Sequence, residues 1–251
     1  MLIGEALPAA VTLPLVLPLV GGSWGWSFVA WSAPVAATLL LFAVAAPHRP
    51  RGRTPRSSRW WPDWRGALAP GLLLGGTGGC YFSANTFIPD YLHAIGQPAL
   101  VGPCLTALNI GQLPASALIL LFAGKLTGSR AAFVVSPLVA FAGLAAFFLP
   151  HPAAIVAAMG LVGFCCGIQL ILSLTLPPVL AAADDVHRLS AGMFAIGYFV
   201  SFLMPPLGGA IWDATGMPVS AFIATALGIA LVPAAALALP PLGSLRIARA
   251  G

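Results

Sequence analysis

All eleven lysines and arginines of the chain fall in alternate gaps between long apolar stretches, and the intervening gaps hold none. Arg49, Arg51, Arg53, Arg56, Arg59 and Arg65 crowd one gap, Lys125 and Arg130 flank another, Arg188 sits in a third, and Arg246 and Arg249 lie in the tail. The gaps at 21–25, 93–98, 150–152 and 212–217 carry no basic residue. Cationic loops are retained on the cytoplasmic side during insertion, so the alternation predicts a polytopic, all-α membrane protein with both termini in the cytoplasm.

Composition leads to the same class independently. With 59% hydrophobic and 7% charged residues, the chain lacks the surface of a water-soluble domain, in which about a quarter of residues are charged. The lipid bilayer is therefore its expected partner and solvent. The formal net charge of +5 reflects the cationic loops, and no nucleic-acid-binding pattern accompanies it. Glu5 precedes the first apolar run and no cationic region leads it, which argues against a secretory signal.

A bilayer core about 30 Å thick takes roughly 20 residues of helix. Eight segments are expected, over Leu2–Val20, Trp26–Ala46, Ala67–Leu92, Leu100–Ala123, Ala131–Leu149, Ala153–Thr175, Leu189–Ile211 and Met217–Leu239. Residues 1–47 thus form two helices, 48–65 a basic cytoplasmic linker with Trp60, Trp61 and Trp64 near the interface, 66–240 a six-helix bundle and 241–251 a cytoplasmic tail. The Pro- and Gly-rich stretch from Pro14 to Trp26 also echoes that from Pro205 to Met217, the signature of a duplicated architecture.

Polar side chains inside a bilayer are costly unless they face a bundle interior or a wet cavity, so their positions trace a pathway. Tyr81 and Asn85 share one face of the third segment, Asn109 and Gln112 one face of the fourth, and Gln169 and Ser173 one face of the sixth. Tyr198 lies among Ser190 and Ser201 in the seventh. The fifth and eighth segments offer little beyond Ser136, Ser220 and Thr225. The four polar helices are read as lining a cavity that the other two shelter; each Asn, Gln and Tyr has the alternative reading of interhelical packing.

Chemistry of other kinds finds few residues. Asp90, His93 and Asp213 fall at segment ends, and Asp184, Asp185, His187 and Arg188 in a short loop, where solvated helix ends account for them. Cys80, Cys104, Cys165 and Cys166 lie within apolar stretches without metal-ligand spacing. No zinc-hydrolase, nucleophile-elbow or phosphate-loop motif occurs, so no cofactor or metal is expected and a membrane-embedded enzyme is the lesser alternative.

The stretch RLSAGMFAIGYFVSFLMPPLGGAIWDATG, Arg188 to Gly216, resembles the eleventh helix of the major facilitator superfamily and its closing D-x-T-G turn. GGSWGW, Gly21 to Trp26, is similar to the hairpin between that family's fifth and sixth helices. The run from Phe87 to Arg130 is similar to its seventh and eighth helices, particularly in the branch containing cyanate and nitroimidazole transporters. The resemblance covers the whole chain as helices five to twelve.

It implies a secondary transporter working by alternating access on a small solute, with the seventh, eighth, tenth and eleventh helices around the cavity. Tyr81, Asn85, Asn109, Gln112, Gln169, Ser173 and Tyr198 are then the candidate solute-binding residues. A coupling proton is compatible with the family, and the location implied is the plasma membrane, the inner membrane of a bacterial cell. AGKLTGSR, Ala123 to Arg130, lacks the Asp usual in the family's loop between helices eight and nine. The family has twelve helices, so an N-terminally truncated chain is expected, with a transport-inactive remnant or accessory subunit as a further alternative.

Overall fold

A computed structural model describes residues 11–45, 61–126 and 129–240. Glu5, the arginines from Arg49 to Arg59, Trp60 and the tail arginines lie outside the described residues. Among the described residues every regular element is helical. After short turns over Thr12–Val16 and Leu17–Leu19 come α1 (Trp24–Ala45), α2 (Trp64–Ala94), α3 (Val101–Ile110), α4 (Gln112–Leu126), α5 (Arg130–Ala146), α6 (Pro152–Leu174), α7 (Leu176–Leu180), α8 (Val186–Thr215) and α9 (Phe222–Leu237).

Among the described residues, five helical spans are long and apolar enough to cross a membrane: α1, Pro98–Phe122, Pro152–Leu180, α8 and Pro218–Leu237. They mark the chain as a membrane protein. Of the eight expected crossings, α5 is shorter, at 17 residues. α2 is longer, at 31 residues, but carries glycines and polar residues along much of its length.

Prolines and caps set where these helices break. Pro114 has no N–H for the carbonyl of Ile110 and clashes with it, so the fourth apolar segment divides at Gly111 into α3 and α4. Pro177 and Pro178 likewise separate α7 from α6 at Thr175. Asp63 caps α2, its Oδ1 accepting from the Gly66 N–H at 3.1 Å. Gly216, at φ 68°, ends α8 in the left-handed conformation, with its N–H donating to the Trp212 carbonyl at 2.8 Å.

Lipid supplies no hydrophobic force between helices, so close backbone approach through small residues carries much of the packing. α2 and α8 run parallel, with Ala67 beside Gly192, Gly71 beside Ile196, Gly75 beside Val200 and Gly79 beside Met204. A Cβ at Gly71 would stand 2.7 Å from that of Ile196, and one at Gly75 2.7 Å from that of Val200. α9 crosses the next face of α2 antiparallel, where Gly228 meets Gly76. α3 and α4 lie parallel to α6 through Gly111, Gly160, Gly163 and Gly167.

Of the five apolar spans Pro152–Leu180 is the most enclosed, with 61% of its apolar window buried, against 56% for Pro218–Leu237, 17% for α8 and none for α1. α5 and α9 pack on each other and stand behind α6 and α2, while α8 and α3–α4 flank them. The largest apolar cluster joins Phe87, Ile88, Tyr91 and Leu92 of α2 with Phe147, Ile155, Met159 and Phe222. Tyr91, Phe147, Phe148 and Phe222 meet there with ring centroids 5.2–5.5 Å apart.

The helix directions bring the described cationic positions to one end of the bundle. Arg65, Arg130 and Arg188 stand at the starts of α2, α5 and α8, and Lys125 at the close of α4. Arg188 Nε donates to the Trp61 carbonyl at 2.8 Å and its Nη1 pairs with Asp185 Oδ1 at 2.7 Å. Arg130 donates to the carbonyl of Leu239, just beyond the end of α9. Asp90, His93, His151 and Asp213 stand at the opposite end.

Candidate functional site

Three of the expected residues form one network between α2 and α3. The Tyr81 hydroxyl donates to Asn109 Oδ1 at 2.5 Å, and Asn109 Nδ2 approaches Asn85 Oδ1 at 3.5 Å. Asn109 Nδ2 also donates to the Leu105 carbonyl at 2.7 Å, and Asn85 Nδ2 to the Tyr81 carbonyl at 2.9 Å. Tyr81 and Asn85 lie one helical turn apart and so share a face, which the 3.6-residue period dictates. Asn109 is buried; Tyr81 and Asn85 are half-buried, on the side of α2 where Phe82, Thr86 and Asp90 are exposed.

Prolines add polarity to the same place. Pro89 removes the N–H that would otherwise serve the Asn85 carbonyl, as Pro114 does for Ile110. Two backbone carbonyls deprived of their helical donors thus flank the Asn85–Asn109 pair. Ile110 lies in the Pro98–Phe122 span, which is apolar enough to cross a bilayer, where a carbonyl without its donor calls for another partner.

Tyr198 lies beside this network rather than in it. It is exposed, its ring stacks on Phe194 with centroids 6.0 Å apart, and it lines a pocket of about 380 Å³ with Phe82, Ser201, Phe202, Pro205 and Pro206. The pocket wall is almost wholly apolar. Its Ser201 hydroxyl is already donated to the Gly75 carbonyl at 3.3 Å. Phe82 connects the two features, its ring centroid standing 5.7 Å from that of Tyr81.

Gln169 belongs to a separate, enclosed network. Its Oε1 lies 3.1 Å from Thr77 Oγ1, its Nε2 donates to Ser136 Oγ at 3.3 Å, and the Ser136 hydroxyl donates to the Cys165 carbonyl at 3.2 Å. All three side chains are buried. The arrangement ties α2, α5 and α6 together from within, the packing role that each amide carried as its alternative reading.

Gln112 and Ser173 are buried at 2% and 0% exposure, and Gln112 Nε2 and Ser173 Oγ have no hydrogen-bond partner among the described residues. The structure brings neither to the Tyr81 network by a hydrogen bond. Phe82 and Thr77 were not among the residues singled out from the sequence. Phe82 looks like any apolar helix residue, and Thr77 gains meaning only from the distant Gln169.

The chemistry open to these groups is hydrogen bonding with neutral partners. α6 holds no Lys or Arg, and those of α2 and α8, Arg65 and Arg188, stand in the first turn of their helices, away from Tyr81, Asn85 and Tyr198. Among the described residues no group of three or more His, Cys, Asp and Glu is placed to hold a metal ion. Comparison with family models, with curated proteins and with solved structures found no match to the chain.

Proposed function

We propose that the chain is a multi-pass membrane transporter of a small, neutral solute, with its six-helix bundle arranged like the C-terminal half of a major facilitator and working by alternating access. The observation that carries this reading is the Tyr81–Asn109–Asn85 network. It is a hydrogen-bonding cluster on the open side of α2, and unlike the enclosed Gln169 network it keeps two of its members, Tyr81 and Asn85, half-exposed, as residues that meet a solute must be. The adjoining pocket of about 380 Å³ supplies an apolar wall for the same solute.

The gathering of Arg65, Lys125, Arg130 and Arg188 at one end supports an orientation with that end in the cytoplasm of a plasma membrane, both termini included. Carboxylates at the opposite rim, Asp90 and Asp213, leave room for a coupling proton. The sequence carries none of the zinc-hydrolase, nucleophile-elbow or phosphate-loop motifs that would speak for an embedded enzyme.

The test is flux in proteoliposomes. Purified chain is reconstituted and a panel of labelled neutral solutes is offered, alongside Asn109→Leu protein of matched folded content. Uptake above empty liposomes that falls in the variant supports the reading. Uptake that Asn109→Leu leaves unchanged, or no uptake of any solute by folded protein, overturns it.

A further inference from the structure

The sulfur atoms of Cys80 and Cys166 lie 3.7 Å apart. Both thiols are buried, at 2% and 3% exposure, where α2 crosses α6. The pairing belongs to a regular antiparallel seam: Thr77 meets Gln169 through a 3.1 Å hydrogen bond, and one helical turn further along Cys80 meets Cys166. The register that places one pair therefore places the other. Cys165, although next in sequence to Cys166, points about 100° away around the helix and cannot bridge to it without breaking that turn. Cys104 stands on another helix, α3.

A disulfide needs its sulfurs about 2.05 Å apart. From 3.7 Å the pair must close by about 1.7 Å, a distance that side-chain torsions and a small adjustment of two packed helices supply. Cys80 directly precedes Tyr81 in α2, so whatever fixes α2 against α6 at this level fixes the backbone that carries the candidate site as well.

We propose that Cys80 and Cys166 form an oxidisable dithiol whose disulfide staples α2 to α6 beside Tyr81. Two S–H bonds break and one S–S bond forms. The two hydrogens, with two electrons, pass to a membrane-permeant acceptor of the azodicarboxamide or quinone class, which becomes the hydrazine or the hydroquinone. A thiol reductant reverses the step by exchange. The reduced form holds the α2–α6 seam by non-covalent contacts, the Thr77–Gln169 bond and the thiol pair among them; the oxidised form cannot part there.

The experiment uses the whole chain in detergent or native membranes, treated with diamide, then denatured and alkylated. The expected result is loss of two of the four alkylatable thiols, an intact mass lower by two hydrogens, a linked Cys80–Cys166 peptide after digestion, and full recovery with reductant. The double variant Cys104→Ser/Cys165→Ser should still form the link, which keeps the test open if Cys80→Ser or Cys166→Ser fails to fold. Four thiols remaining after diamide, a link through Cys165 or Cys104, or a link only between two chains would overturn the proposal. None of these readouts depends on solute flux, so the dithiol stands or falls apart from the transport reading.

Discussion

Gly76 and Gly228 face each other across the α2–α9 crossing so closely that a Cβ at Gly76 would lie 2.7 Å from the Gly228 carbonyl oxygen, and one at Gly228 2.8 Å from that of Gly76. Neither helix has room for a side chain there. Gly76→Ala and Gly228→Ala should each destabilise the folded protein by about 1–3 kcal/mol through overpacking. Thermal unfolding in detergent checks this. Gly102→Ala, where a Cβ would meet nothing within 4 Å, should behave as wild type; equal losses at all three positions would contradict the account.

Tyr81→Phe removes one hydrogen bond from the candidate site while keeping the ring. A net hydrogen bond is worth about 1 kcal/mol, and the free-energy scale converts that to roughly a fivefold loss of transport if the bond serves the solute-bound state. Asn109→Leu removes the group shared by Tyr81, Asn85 and Leu105 and should cost roughly tenfold or more on the same scale. Initial rates in proteoliposomes, normalised to folded protein, measure both.

Gln169→Leu should act differently. Because Gln169 sits buried between Thr77 and Ser136, its loss should lower the unfolding midpoint and leave the apparent solute affinity unchanged. A double-mutant cycle with Thr77→Val should return a coupling of about 0.6 kcal/mol, the usual size for a hydrogen bond between membrane helices. A rise in apparent KM without a stability change would instead place Gln169 in the pathway.

Sidedness follows from which residues cap which helices. In a background with its four cysteines replaced, a cysteine at Asp184, beside Arg188, should react with an impermeant maleimide only from the cytoplasmic side. A cysteine at His93 should react only from outside. Labelling of both from one side would refute the orientation.

Apolar length and cationic alternation were legible in the sequence because each depends on one segment at a time. So was the shared face of Tyr81 and Asn85, which a single helical period determines. The meeting of Tyr81 with Asn109 was not, since it depends on how α2 and α3 rotate against each other. For the same reason Gln169 read as a cavity residue, while Ser136, on a segment that looked bare, is one of its partners. Helix limits also moved: α2 begins at Trp64 and α8 at Val186, three residues ahead of the apolar runs, because capping groups such as Asp63 extend a helix past its lipid-facing part. The division at Gly111 was written in Pro114, but the length of the fourth apolar segment, about that of one bilayer crossing, concealed it.

The glycine seam joining α2 to α8 has a mechanical meaning. Contact there sets a glycine of one helix against a side chain of the other at every turn, Ile196 on Gly71, Val200 on Gly75, Met204 on Gly79 and Leu74 on Gly197, so rolling or sliding would drive those side chains into main chain. Tyr81 on one and Tyr198 on the other are thereby held at a fixed offset, two faces of one interlocked pair of rods.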